Sequence, residues 1–242
     1  MRRIFLAITL SLSAVPAFAG TPDFNLACGL LNPTCQADFR AVTEDITAAV
    51  GYKALGPAEA TGLTGFGIGA YGAYSPTQHK DAWDNLTGTR VNGVGMAGIA
   101  VHKGLPFGFD VGATYSAVPG TSARLYGVEL RYAILQGGVA EPAIAVRASY
   151  TGSTGIDDFK FSTTSLDASI SKGFAMLTPY AGAGWIRGKA DPDASTGLTE
   201  EIVNKAKFFA GLRVSFVIFE LTPEFERVGD NNSYNLRLGF SF

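Results

Sequence analysis

The chain has 242 residues, of which 47% are hydrophobic and only 17% charged, with a formal net charge of −2. No basic patch stands out, which sets nucleic acid aside as a partner. Thirty glycines and two cysteines complete a composition that is rich in small and apolar residues.

Arg2 and Arg3 precede an apolar run from Ile4 to about Ala14. Pro16 breaks the run, and Ala17-Phe18-Ala19 follows as a small-x-small site. This is the layout of a signal peptide over residues 1–19. The run is too short for an anchor, because spanning takes ~20 apolar residues. An exported chain this apolar, with no second long hydrophobic segment, is either a large β-sandwich or a membrane β-barrel. Its length permits either as a single domain.

Residues 20–61 read as a helical, plug-like segment. Cys28 and Cys35 are the only cysteines, in Cys-x6-Cys spacing. In an oxidising compartment such a pair reads as a disulfide. A metal site would need nearby ligands, and the two histidines, His79 and His102, are far away in sequence. Phe39, Val42, Ile46 and Val50 recur at helical spacing between Thr34 and Lys53, with Asp38, Glu44 and Asp45 elsewhere. Thr34 is the expected cap and Gly51 the expected end.

Residues 62–242 supply ten strands, with an error of two either way. The first, 62–74, carries Gly65, Gly67 and Gly69 on one parity. Glycine in a strand often marks close approach of another backbone. The helix is therefore expected inside the barrel against this face, or else on its periplasmic rim. A ten-stranded barrel has a backbone radius of roughly 10 Å. A helix with side chains is ~10–12 Å across, so it would nearly fill the lumen. The segment Gly67-Ile-Gly69-Ala-Tyr-Gly72 matches a dinucleotide fingerprint but lacks the following helix, so no cofactor is expected.

The next strands are 91–103, 106–118, 122–135, 142–152, 159–172, 177–188, 206–217 and about 219–227. Most alternate strictly, which is the half-buried strand signature. One parity is apolar and is assigned to lipid, with Phe107, Phe109, Tyr115, Tyr126, Tyr132, Tyr150, Tyr180 and Phe216 as its aromatics. The other carries small polar residues with Asp110, Glu129, Arg131, Arg147, Asp167, Arg213, Glu220 and Glu224, assigned to the lumen. A sandwich would bury the apolar parity instead. The small polar filler between the charges fits a crowded lumen better. Connections at 104–105, 136–141, 173–176 and 217–218 are short and those at 75–90 and 189–205 long, at alternate ends. That is the barrel pattern of inner turns and outer loops.

The final segment sets Tyr234, Leu236, Leu238, Phe240 and Phe242 against Asn235, Arg237, Gly239 and Ser241. It resembles the terminal strand of bacterial outer-membrane β-barrels, which commonly ends in an alternating aromatic strand with a terminal Phe. The resemblance implies a closed antiparallel transmembrane barrel in the outer membrane of a Gram-negative bacterium. Outer-membrane lipid and the barrel-assembly machinery are the implied partners. The N-terminal layout, with Asn32-Pro33, is similar to the hatch of FadL-like channels, which implies passage of hydrophobic compounds.

Chemistry motifs are absent: no Gly-x-Ser-x-Gly, phosphate loop or His-Glu-x-x-His occurs. His79, with Asp81 and Asp84 nearby, is the one candidate for a lipid-modifying enzyme, and no nucleophile accompanies it. The expected role is therefore non-enzymatic: a structural barrel or a narrow, plugged channel for a small solute. The inward charges are expected to pair into a network more than to tune an open pore.

Overall fold

The computed structural model describes residues 34–138 and 141–242. Ten strands form one closed antiparallel barrel, each paired with its sequence neighbours and the first with the last. They are β1 (Phe66–Pro76), β2 (Gly93–Gly104), β3 (Phe109–Ala117), β4 (Arg124–Gln136), β5 (Ala143–Thr154), β6 (Phe159–Ser171), β7 (Leu177–Pro192), β8 (Glu201–Phe216), β9 (Phe219–Val228) and β10 (Asn231–Ser241). Helix α1 (Cys35–Val50) precedes them, and α2 (Lys80–Thr87) lies between β1 and β2. The seam closes in the register Gly69↔Gly239, and Phe66 and Phe242 exchange backbone hydrogen bonds of 2.9 and 3.0 Å at its end. Closure leaves no strand edge unpaired, which a hydrocarbon environment requires.

The strand alternation works outward as expected. Phe109, Tyr115, Tyr126, Tyr132, Tyr150, Phe216, Tyr234 and Phe240 are all exposed on the outer wall, with Leu130, Leu166, Trp185, Phe208 and Leu238. No helix among the described residues is long and apolar enough to cross a membrane. Leu130 is the middle residue of β4 and points outward. A Leu130→Arg substitution is expected to cost ~2–4 kcal/mol, the penalty for a cation at the bilayer midplane. Urea unfolding in lipid vesicles checks it; a wild-type midpoint would contradict a lipid-facing wall.

Tyr180 is a correction. It is buried inside the barrel, 4% exposed, and its hydroxyl donates to Glu224 Oε2 at 2.9 Å. Strand parity explains this: Trp185 is five residues further along β7, and an odd separation puts the two on opposite faces. Trp185 faces out, with Pro179, so Tyr180 faces in. Phe107 is also not on a strand. It sits in the 3-10 turn Pro106–Gly108 at φ 64° and is 87% exposed.

The inner end of the barrel is the one where β1 begins and β10 ends. It carries the short connections around 105–108, 137–142, 172–176 and 217–218. The opposite, outer end carries 77–92, 118–123, 155–158, 193–200 and 229–230. The expected loop 189–205 is shorter than the sequence suggests, because β7 and β8 stay paired out to Ala190↔Glu201. There a Lys189–Glu200 ion pair of 2.7 Å sits on a polar hairpin. Polar side chains end the hydrocarbon crossing without ending the strands.

Helix α1 lies within the barrel's outer half. Thr34 stands at its N-cap position without capping it; its hydroxyl donates to Asp38 Oδ2 at 3.3 Å. The stripe Phe39, Val42, Ile46 and Val50 packs in an apolar cluster with Trp83, Leu86, Leu125, Phe159 and Phe161. Phe39 meets Phe159 edge-on at 6.0 Å between ring centres. The N-terminal turn reaches the outer loop, where Gln36 Nε2 donates to the Thr199 carbonyl at 3.1 Å and Arg40 pairs with Glu201 at 3.0 Å. Residues 51–61 then descend along the lumen. Pro57 accepts from Arg131, the Ala58 N–H donates to Ser171, and the Thr61 N–H donates to Asp110. The segment thus runs from the outer mouth to the inner one, and Thr34 is at the outer end.

The glycine face of β1 does not receive this helix. Gly67 and Gly69 lie under the Arg237 guanidinium. The helix takes its close approach at Gly188 on β7, where a Cβ would collide with Thr47. Cys35 opens α1 as a buried residue and is not free. Cys28, its expected disulfide partner, the signal peptide and Asn32-Pro33 lie outside the described residues.

Candidate functional site: a charged lumen and its plug

Every strand has one face turned inward, and on β3 to β6 and β8 to β10 that face carries the charges. Asp110, Glu129, Arg131, Arg147, Asp167, Glu220, Glu224 and Arg237 are all buried, and Arg213 is half-buried. They do not form one cluster. They separate into a central and an inner group, and a third polar group built on α1 lies at the outer mouth; each is tied to a different part of the N-terminal segment.

The central group runs around the wall. Arg147 Nε lies 2.9 Å from Glu129 Oε2, and its Nη1 lies 3.8 Å from Asp167. Lys207 stands 3.9 Å from Asp167 and 3.1 Å from Glu226. Glu226 also receives Lys53 from the plug, at 2.6 Å. Lys53 further donates to the Ala48 carbonyl at 2.7 Å, and Lys207 to the Tyr52 carbonyl at 2.8 Å. His102 Nε2 lies 3.3 Å from Glu129. Glu224 takes the Leu55 N–H at 2.8 Å, the Tyr180 hydroxyl and the Asn235 amide. Isolated ions in such a place would be several kcal/mol unfavourable each; pairing offsets that only when nearly every charge has a partner.

Sequence reading finds the wall charges and misses Lys207, Glu226 and Lys53. Two of these have a signal. Lys207 shares parity with Gly211 and Arg213, and Glu226 shares it with Glu220 and Glu224. Lys53 has none, because it follows the helix and its direction depends on where the helix docks.

The inner group consists of Arg131, Arg213 and Arg237 with Asp110, Glu59 and Glu220. Arg131 pairs with Asp110 at 3.1 Å. Arg213 pairs with Glu59 of the plug at 2.6 Å, and Glu220 lies 3.8 Å from both Arg213 and Arg237. A cavity of about 200 Å³ opens here, lined by these three arginines, the two glutamates and plug residues of 54–61.

The outer group is built on Asp45 of α1, which is 1% exposed. Its carboxylate accepts from the Gln78 and His79 backbone N–H groups at 3.2 and 3.1 Å, from Trp83 Nε1 at 3.0 Å and from Asn231 Nδ2 at 2.7 Å. His79 Nδ1 lies 3.0 Å from it as well. The partner of His79 is therefore Asp45, not the neighbouring Asp81, which pairs with Arg90. Asp45 thus holds the two backbone N–H groups that lead into α2, Gln78 and His79 at its N-cap position. Among the described residues no group of three or more His, Cys, Asp or Glu could hold a metal ion.

A closed antiparallel barrel with an apolar outer wall and a charged, occupied lumen defines a transmembrane β-barrel of the outer-membrane type. No protein-family model and no curated protein matches the sequence. Solved structures that it resembles include the KdgM porin, at 11% identity over 72% of this chain and 99% of that one, with a TM-score of 0.39. Ail of Yersinia pestis is similar at 14% identity over 74% and 100%, TM-score 0.35. OprG from Pseudomonas aeruginosa is similar at 10% identity over 77% and 99%, TM-score 0.35.

Proposed function

We propose that this chain is a non-enzymatic outer-membrane barrel whose lumen is kept shut by its own N-terminal segment, a closed narrow conduit for a small solute. The observation that carries this is the seating of Lys53. A plug ammonium sits fully buried between wall residues, 2.6 Å from Glu226, at the depth where a solute would have to pass. Export by the signal peptide of residues 1–19, a Cys28–Cys35 disulfide at the outer end of the plug, and assembly through the strand ending in Phe242 belong to the same reading.

Passage of hydrophobic compounds finds little support in this closed state. A larger apolar recess of about 640 Å³ is lined by β1, β2, β10 and Pro119 with no plug residue, and the apolar cavity that the plug itself lines, between α1, Trp83, Phe159 and Phe161, is about 30 Å³. That is room for one water and not for a hydrocarbon chain. A hydrolytic role for His79 would use Asp45 as the orienting group. Asp45 is committed to two backbone N–H groups, Trp83 and Asn231 as well, which is the pattern of a structural clamp.

Planar-bilayer recording tests the reading. The intact chain is expected to be silent or nearly so, and a variant lacking residues 20–61 that still shows heat-modifiable migration is expected to give discrete conductance steps. Equal conductance from the two would remove the plug from the account.

A further inference from the structure

Arg237 is not consumed by the network around it. Its side chain is 6% exposed, its Nε has no hydrogen-bond partner, and its nearest carboxylate oxygen, on Glu220, is 3.8 Å from Nη1. Arg213 Nε is buried without a partner as well. Both line the cavity of about 200 Å³ at the inner end of the lumen. Arg131, the third guanidinium there, is fully occupied by the Pro57 carbonyl, Thr61 and Asp110.

The wall is shaped to keep Arg237 where it is. A Cβ on Gly69 would come within 2.9 Å of Arg237 Nε and 2.6 Å of the Leu238 carbonyl, and one on Gly239 within 3.2 Å of Nη2. The glycine run of β1 thus clears a bed for the guanidinium. The fork lies against backbone on one side and faces the cavity on the other. A buried guanidinium without acceptors is costly, and its planar donors match a two-oxygen acceptor.

We propose that the inner cavity is a binding site for a small oxyanion, a carboxylate or phosphate group held by Arg237 with the Nε of Arg213. Glu59 occupies Arg213 Nη2 through its Oε2 at 2.6 Å and leaves the Nε of Arg213 unbound. Glu220 does compete: it stands beyond hydrogen-bond distance from both arginines, and its charge opposes an incoming anion. As a statement about what the conduit selects, the site rests on the proposed function; as a binding site it stands without any channel opening.

The test is a titration of inorganic phosphate into the folded full-length chain in detergent, read by phosphorus line-broadening, with acetate and sulfate as competitors. Saturable binding is expected. Arg237→Gln should weaken it about 10- to 100-fold, the loss of one bidentate charge-assisted pair. Glu220→Gln should tighten it several-fold, and Arg187→Gln on the outer surface should leave it unchanged. Should Arg237→Gln fail to give a heat-modifiable band, Arg237→Lys keeps the charge and removes the fork, and weakening is again expected. Stronger displacement by acetate assigns the site to carboxylates, and stronger displacement by sulfate to tetrahedral anions. No saturable binding by the wild-type chain, unchanged binding in the Arg237 variants, or weaker binding in Glu220→Gln overturns the proposal. Because no conductance is measured, a failed titration leaves the plug intact as an idea, and a leaky intact channel leaves the site intact.

Discussion

Glu226→Ala is expected to unseat the plug and to be among the most destabilising single substitutions in the lumen. Glu226 is 1% exposed and holds two ammonium groups, Lys53 at 2.6 Å and Lys207 at 3.1 Å. Its removal leaves both cations in an interior where each has only a backbone carbonyl within hydrogen-bond reach. Asp167, 3.9 Å from Lys207, is the one carboxylate left nearby, and it is shared with Arg147. Breaking one partner of a buried pair costs roughly 3–5 kcal/mol. Here the loss falls on the interaction between plug and wall, so residues 51–61 should leave their track before the barrel opens. Two signals are expected together: a lower unfolding temperature by gel migration, and conductance where the wild type shows none. Lys53→Met combined with Glu226→Met should recover much of the stability, because the plug then brings no charge to a site that no longer pairs it. A double-mutant cycle isolates that coupling. A Glu226→Ala barrel that is as stable and as silent as wild type would mean that the plug is held elsewhere.

The outer wall was legible in the sequence because lipid rewards a simple rule. Every second residue from Tyr126 to Ile134, or from Tyr234 to Phe240, lies exposed on the outer wall, so alternation alone assigns it. The rule fails where an aromatic belongs to the interior. Tyr180 looks like a girdle residue, yet its hydroxyl is needed by Glu224. The glycine run of β1 carried a correct signal of close approach and the wrong visitor, an arginine of β10 rather than the helix. The length of one outer connection, 189–205, was overestimated because Lys189 and Asp191 look like loop residues while β7 and β8 remain paired out to Ala190↔Glu201. Helix α2 was hidden in a polar stretch. Its apolar residues Ala82, Trp83 and Leu86 are too few for a periodic signal, and they are buried only because α1 lies beneath them.

The polar face of α1 was the hardest part to read. On a surface helix, Asp38, Glu44 and Asp45 would meet water, and amphipathic spacing cannot distinguish that from a helix enclosed in a barrel. Inside a lumen the polar face meets other polar side chains: Glu44 pairs with Lys205 at 2.7 Å, and Asp38 accepts from Asn85 at 3.1 Å. Asp45 becomes a hub that joins α1, the first outer loop and β10.

Asp45→Ala is accordingly expected to release the outer mouth. The carboxylate accepts from two backbone N–H groups, from Trp83 and from Asn231, and lies against His79, all at 2.7–3.2 Å. Trp83 is 0% exposed, and its indole N–H would lose the Asp45 carboxylate that accepts from it. Leaving a buried donor unsatisfied costs ~1–3 kcal/mol, and several are orphaned here at once, in addition to the anchoring of the N-terminal end of α2. Residues 77–92 should then become susceptible to protease added to intact cells, while the strands and the Glu226–Lys53 pair, deeper in the barrel, keep their protection. Asp45→Asn separates the causes. It retains one acceptor oxygen of nearly the same shape, so it should restore part of the protection and leave the charge contribution missing. His79→Ala removes one of the five contacts and leaves Trp83 and Asn231 satisfied, so its effect should be small. Strong exposure of the loop in His79→Ala, equal to that in Asp45→Ala, would transfer the clamp from the carboxylate to the imidazole.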